Sequence, residues 1–377
     1  MIYMDNAATT PLDENVLAAM MPYFREEYGN ASAIYDLGQK ARKAVDESRE
    51  KISSLLGASC SEIYFTGSGT ESDNWVLLRA ADRQGAGYQG SHIVTSRIEH
   101  HAVLKTCAYL ESKGARITYL DVDPYGRVRP EDVEASICPE TVLVSIMMAN
   151  NEIGTLEPVA EIGNICHNKG VLFHTDAVQA FGHIPVDVEA MQIDYLSASA
   201  HKVNGPKGTG ILYMRKGKSL SPLIRGGEQE HGSRAGTENV PGIVGFGAAA
   251  QIAAQTMEER RRVMLPVRDY LISVLTGNIK GCTLNGHPKE RLANNVSVSI
   301  PGVDGEQLVY QLGRAGIAAG SGAACSRGSM QPSHVLKAIG RSHAESFSGL
   351  RLSISHETTM EEAKYTAQTI IKLCEKH

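Results

Sequence analysis

The chain has 377 residues with 42% hydrophobic content and no low-complexity tract, enough to bury a large core and to form two domains more readily than one. Its 37 Lys and Arg stand in mixed order against 42 Asp and Glu, a net charge of −5, so no basic face points to direct nucleic-acid binding or to an anionic membrane. The 7 cysteines (60, 107, 138, 166, 282, 325 and 374) are odd in number and widely spaced, with no Cys-x-x-Cys pair or zinc-ligand cluster, which argues against a disulfide framework and a structural metal site.

The N-terminal stretch "MIYMDNAATTPLDENV" has no basic segment followed by an apolar core. Downstream, "GQKARKAVDESREKISSLLG" puts Ala41, Ala44, Val45, Ile52, Leu55 and Leu56 on one helical face, with Gly57 as the stop. Short apolar runs follow: "EIYFT" (62–66), "SHIVTS" (91–96), "ARITYLDV" (115–122), "TVLVSIMMA" (141–149), "VLFHTDA" (171–177), "IDYLSASA" (193–200) and "GILYMR" (210–215). Their length, β-branched content and Gly, Pro or Asn flanks suit strands buried on both faces of a largely parallel sheet. Interleaved helical segments make this an α/β sandwich.

The segment "VPGIVGFGAAAQIAA" is too short and glycine-rich to span a bilayer, so a cytoplasmic protein in a reducing compartment is expected. After about residue 258, past the polar "QTMEERRRV", the texture becomes α+β: "NNVSVSI", a helix at "GEQLVYQLGRAG", a second at "PSHVLKAIG", the strand "GLRLSIS", and a last helix opened by Thr358 with Glu361 at capping-box spacing. The expected division is a large domain over 15–258 and a smaller one from 1–14 and 259–377.

Three segments of the first domain carry chemistry. "TGSGTESDN" (66–74) follows a strand and opens a helix, so backbone amides near Gly69 and Thr70 form an anion cradle, or else an ordinary turn capped by Thr70. "FHTDAVQAFG" (173–182) sets Asp176 and Gln179 at a strand's C-terminal end, where open α/β sheets bind ligands. The carboxylate there suits a protonated ring nitrogen and the amide a neighbouring ring oxygen, while the plain alternative for Asp176 is a helix cap. "SASAHKVNGPKGTG" (197–210) sets Lys202 at another strand end, with Ser199 and His201 able to bond a phosphate; a desolvated lysine there forms Schiff bases, whereas a lone one is an ordinary surface residue. Together these are the parts that pyridoxal 5'-phosphate requires.

In the second domain, "AAGSGAACSRGSM" (318–330) places Cys325 in a run of small residues with little to pack against. Such a stretch suits a mobile tether for a nucleophile more than the burial of a small hydrophobe.

In order along the chain, "YMDNAATTPLDENV", "YGNAS", "GTESDN", "EHHAVL", "NNEIGT", "HTDAVQ", "SAHKVNGPKG", "RAGTENV", "SGAACS" and "PSHVLKAIG" resemble the cysteine desulfurases of the NifS/IscS type. That resemblance implies the pyridoxal-phosphate fold type I: a large domain with a mainly parallel central sheet flanked by helices, plus a small α+β domain carrying a mobile catalytic-cysteine loop at about 320–332. It makes Lys202 the Schiff-base lysine, Asp176 the partner of the pyridine nitrogen and Gln179 that of the ring oxygen. His100, preferred over His101 by its place after Glu99, would stack on the ring and shuttle protons. Gly69, Thr70, Ser199 and His201 would hold the phosphate. Thr237 would reach the cofactor of a second subunit, implying a homodimer.

The same resemblance assigns Asn151 to the cofactor and the substrate carboxylate, and Arg351 to that carboxylate. Cys325 would take sulfur from L-cysteine as a persulfide, releasing alanine, and pass it to an acceptor such as an iron–sulfur scaffold or a tRNA-thiolation enzyme. The only metal role left open is transient iron–sulfur cluster ligation by Cys325. Departures from the family pattern fall at Ala323, Tyr35, Gly349 and His356. The alternatives are another fold-type I enzyme, such as a selenocysteine lyase or an aminotransferase, and a non-catalytic partner-binding scaffold. Cys325 on its loop argues against the first, and retention of Lys202 and Asp176 against the second.

Overall fold

The structure is a computed structural model that describes residues 1–82, 85, 87–321 and 332–375. In chain order the elements are β1 (Ile2–Tyr3), α1 (Glu14–Met20), α2 (Pro22–Arg25), α3 (Asp36–Leu56), β2 (Ile63–Thr66), α4 (Gly69–Ala81), β3 (His92–Ser96), α5 (His101–Ser112), β4 (Arg116–Leu120), α6 (Pro130–Ser136), β5 (Thr141–Ser145), α7 (Val159–Lys169), β6 (Leu172–Asp176), β7 (Tyr195–Ser199) and β8 (Gly210–Met214). Then come α8 (Val240–Asn278), β9 (Thr283–Leu284), β10 (Asn295–Ser299), α9 (Gly305–Arg314), β11 (Ile317–Ala318), β12 (Gly320–Ser321), α10 (His334–Ala338), β13 (Gly349–Ser353) and α11 (Met360–Cys374).

Seven strands form one sheet in the order β2-β8-β7-β6-β5-β3-β4. The β4, β3, β5, β6 and β7 neighbours pair in parallel, and β8 runs antiparallel to both β7 and β2. The expected strands are all present, each shorter than its apolar run, because the runs continue past the paired segments as buried connections: Ile146, Met147, Ala149 and Ala177 lie beyond β5 and β6 yet are buried. Every residue of β3, β7 and β8 is buried. One core, including Val45, Ile52, Phe173 and Phe246, covers one face; another, with Trp75, Leu77, Val103 and Leu110, covers the other. Helix α3 buries Ala41, Ala44, Val45, Ile52 and Leu56 as its periodicity requires, leaves Leu55 partly buried, and stops at Gly57, whose φ of +66° is the left-handed C-terminal conformation.

The second sheet has the order β12-β13-β10-β9, and its core gathers Val296, Val298, Leu350 and Leu352 with Met4 from the N-terminal segment. The polar "QTMEERRRV" does not interrupt the chain: it lies inside the 39-residue α8, which contributes Ile243 and Phe246 to the first core and Met264, Leu271 and Leu275 to the second. A polar stretch on a helix needs only an outward face. The last helix begins one residue later than expected, with Thr359 capping and Glu362 completing the box. Thr358 is diverted because its hydroxyl accepts the Ser355 N–H at 2.9 Å.

Candidate active site

A cavity of about 510 Å³ lies between the C-terminal strand ends of the large sheet and the edge of the second sheet. Gly69, Thr70, His100, Asn151, Asp176, Gln179, Ser199, His201 and Lys202 reach it from the first unit, and Arg351 reaches it from β13. Thr237 does not. It is exposed and lines a separate cavity of about 200 Å³ with Phe65, Glu230 and Arg234. Cys325 and Ala323 lie outside the described residues.

At one end of the cavity is the head of α4. The expected cap, Thr70, is instead the second helical residue; Ser68 is the cap and accepts the Glu71 N–H at 3.1 Å. The Gly69 and Thr70 amides, in the first turn, have no intrahelical acceptor. A Cβ on Gly69 would come within 2.5 Å of Val178 Cγ2, so glycine lets the helix head close on the β6 and β7 ends. His201 Nδ1 lies 3.2 Å from Thr9 Oγ1, and burial, with the nearby Lys202 and Lys207 charges, lowers its pKa to about 4. It is therefore a neutral imidazole at ordinary pH.

Deeper in, Asp176 ends β6, is 5% exposed and accepts the Val178 N–H at 2.9 Å. Asp73 on α4 is wholly buried, and one of its oxygens has no hydrogen-bond partner among the described residues. Oxygens of these two carboxyls and a ring nitrogen of His100 lie within 4.8 Å of one another. Burial raises both carboxyl pKa values; the Asp176 charge raises that of Asp73 further, while His100, the Val178 N–H and Lys202 pull that of Asp176 back. Such a trio can receive a cation, and the anion cradle beside it favours a protonated ring nitrogen belonging to a phosphorylated ligand. Gln179 donates to the Ala7 carbonyl at 3.0 Å.

Lys202 sits in a short 3-10 turn immediately after β7, and its Nζ donates to the Ala7 and Ala8 carbonyls at 2.5 and 2.8 Å. Burial first, then the Arg351 charge, lowers its pKa to about 8, against partial opposition from Asp176 and Asp5. Arg351 donates from Nη2 to Asp5 at 2.7 Å and from Nη1 to the Asn151 carbonyl at 3.0 Å. Its Nε is buried with no partner among the described residues, and Gly320 packs against that edge of the guanidinium, where a Cβ would lie 2.8 Å from Nη2 and 3.1 Å from Nε.

Asp5, Ala7, Ala8, Asp73 and Glu152 line the cavity although sequence reasoning assigned them no role. The signals existed in "YMDNAATT", "GTESDN" and "NNEIGT", but the contact between Asp5 and Arg351 spans 346 positions and needs the fold. The departures are peripheral or structural: Tyr35 precedes α3 and is exposed, Gly349 opens β13, and His356 is half-buried near Arg260.

The class-V aminotransferase family model matches residues 2–365. A cysteine desulfurase IscS of Methanosarcina thermophila is 48% identical over 377 residues, covering 100% of this chain and 92% of the relative. One from Clostridium botulinum is 45% identical over 379 residues, covering 99% and 94%. Among solved structures, a NifS-like protein superposes with a TM-score of 0.93 at 40% identity, each chain covered in full (100%). The structure of SspA in complex with cysteine gives 0.82 at 36% identity, covering 95% of this chain and 100% of that one.

Proposed function

The chain belongs to the class-V aminotransferase family and is a pyridoxal-phosphate-dependent cysteine desulfurase, and we propose that Cys325 accepts the sulfur, with Lys202, His100 and Asp176 serving the cofactor and Arg351 and Asn151 the substrate carboxylate.

The donor set fits pyridoxal 5'-phosphate. The α4 head offers free amides where a Cβ on Gly69 would intrude, a buried carboxyl pair lies beyond it, and a lysine of lowered basicity faces both. When bound, the cofactor supplies an aldehyde for covalent attachment and an electron sink for charge developing at the substrate Cα.

The chain's own residues do the rest. Gly69, Thr70, Ser199 and His201 would hold the phosphate, Asp176 the ring nitrogen and Gln179 the ring oxygen. His100 Nδ1 accepts the Ala102 N–H at 3.1 Å, which leaves Nε2 to carry the mobile proton. Arg351, which lines the cavity with its guanidinium held by Asp5 and the Asn151 carbonyl, offers its charge to the substrate carboxylate. In the net step the substrate's C–S bond breaks, an S–S bond forms on Cys325, and a proton completes the methyl group, so cysteine and a thiol become alanine and a persulfide.

The observation that carries this reading is the convergence of Lys202, Asp176, His100 and Arg351 on one cavity. The test is incubation of the cofactor-loaded protein with L-cysteine. Alanine should form in step with protein-bound sulfur plus sulfide, and a protein that makes no alanine overturns the reading.

The sulfur goes on to an acceptor protein, which we take to be an iron–sulfur scaffold or a tRNA-thiolation enzyme. We also propose a cytoplasmic homodimer in which Thr237 serves the second subunit's cofactor; its exposure away from its own chain's cavity supports this. No helix among the described residues is long and apolar enough to cross a membrane. The two cores support the division into units at 15–258 and at 1–14 with 259–377, with α8 shared between them.

A further inference from the structure

The "PSHVLKAIG" segment has no part in the roles assigned above, yet its first residues contact the turns that hold two site residues. Ser333 caps α10, accepting the Leu336 N–H at 3.0 Å and donating to Glu152 Oε2 at 2.5 Å. Glu152 follows Asn151 and lines the cavity, with 3% of its surface exposed. Its backbone is fixed on both sides: its N–H donates to Asn150 Oδ1 at 2.9 Å, and its carbonyl accepts from Asn295 at 3.2 Å. Next along α10, His334 Nε2 donates to the Glu99 carbonyl at 3.0 Å, and its ring lies 4.9 Å from that of His101. Val335, Leu336 and Ile339 pack with Ile98, Met147 and Ile153 in a small core of their own. The start of α10 is thus clamped to the turn of Asn151 and to the turn of His100.

Ser333 stands eight positions after Cys325 in the chain. Upstream of Cys325, β12 pairs with β13, placing Gly320 opposite Arg351. We infer that Glu152 is a positioning residue for sulfur transfer: through Ser333 it fixes the downstream root of the chain that carries Cys325 to the same cavity wall as Asn151. This rests on Cys325 being the sulfur acceptor.

Packing alone does not explain a carboxyl at this place. Taking it out of water with one hydroxyl partner is costly, and burial raises its pKa to about 7 although Ser333 and Arg351 pull the other way. An apolar side chain would fill the space without that cost, but would leave Ser333 without an acceptor on the cavity wall. A nucleophile must arrive within a fraction of an ångström of its line of attack, so a loosened root shows in the transfer rate before it shows in substrate binding.

The test compares Glu152→Ala, Glu152→Gln and Ser333→Ala in the cofactor-loaded protein. Binding of L-cysteine is read from the cofactor absorbance, and the single-turnover rate of persulfide formation on Cys325 from mass spectrometry. Glu152→Ala and Ser333→Ala should slow persulfide formation by about 10- to 100-fold while leaving cysteine affinity within about twofold. Glu152→Gln keeps an acceptor for the Ser333 hydroxyl and should restore most of the rate.

A wild-type rate in both alanine variants overturns the inference. So does a loss of cysteine affinity that parallels the loss of rate, because it marks a substrate contact or local collapse. If Glu152→Ala fails to fold, Ser333→Ala, which removes only a hydroxyl, decides alone. Added sulfur on a different cysteine of the wild-type protein refutes the reading of Cys325 itself, which a normal rate in the variants does not.

Discussion

Arg351 and Asp5 meet at 2.7 Å across the cavity wall, so the guanidinium that lines the cavity is held on one edge by the N-terminal segment. With Nη1 fixed on the Asn151 carbonyl, Nε is the guanidinium nitrogen without a partner among the described residues. Replacing Arg351 by Gln should raise KM for cysteine by about 10- to 100-fold, the worth of one or two charge-assisted hydrogen bonds, while the absorbance of the bound cofactor is retained. Steady-state kinetics with an unchanged KM would remove Arg351 from the substrate site.

Lys202 should capture the cofactor in a pH-dependent way. Only the free amine attacks an aldehyde, and a pKa lowered to about 8 makes that form the minority below pH 8 and the majority above it. Covalent reloading of the stripped protein should therefore quicken about tenfold from pH 6 to 7 and level off above 8. A rise that continues to about pH 10 would show that the lysine keeps its ordinary basicity.

Gly69 should tolerate no side chain while Val178 is present, because the added Cβ would lie 2.5 Å from Val178 Cγ2. Gly69→Ala should weaken cofactor binding by about 1–3 kcal/mol, the usual cost of overpacking. Trimming the obstacle in Gly69→Ala/Val178→Ala should recover much of it. Equal affinities for the single and double variants, measured by cofactor titration, would contradict the packing argument.

Cys325→Ser should bind cofactor and cysteine as the wild type does, yet form no persulfide and almost no alanine, since a serine hydroxyl is scarcely ionised at neutral pH. Peptide mapping after brief exposure to cysteine should find the extra sulfur on the peptide containing Cys325. Alanine release at the wild-type rate by the serine variant would end that assignment.

Away from the site, Arg49 makes a two-pronged ion pair with Glu230, at 2.8 and 2.9 Å, with both side chains almost fully buried. Glu230 also accepts the Phe65 N–H at 2.8 Å and, like His231, has positive φ. Arg49→Met leaves a buried carboxylate without its cation and should cost about 3–5 kcal/mol. A urea midpoint unchanged from the wild type would refute this.

The residues proposed to hold the cofactor are legible because each sits where a strand ends or a helix begins, and such places announce themselves through apolar runs and glycine turns. Asp176, Lys202 and Gly69 belong to this class. Asp5 and Asp73 were not legible as site residues: their roles depend on partners reached only after the sheets have packed, Asp5 on Arg351 and Asp73 on Asp176. Thr359 displaced Thr358 as a cap because two adjacent threonines compete, and a local turn to Ser355 decides between them. That one helix runs through "QTMEERRRV" is not legible in the sequence, because composition registers solvent exposure rather than the continuity of a helix.

The continuous α8 ties the two walls of the cavity together. Lys202 stands on the turn after β7 of the large sheet and Arg351 on β13 of the small one, and this one helix packs into both cores. A substitution that weakens α8 far from either residue, as at Phe246 or Leu271, is therefore expected to loosen the footing of both walls at once.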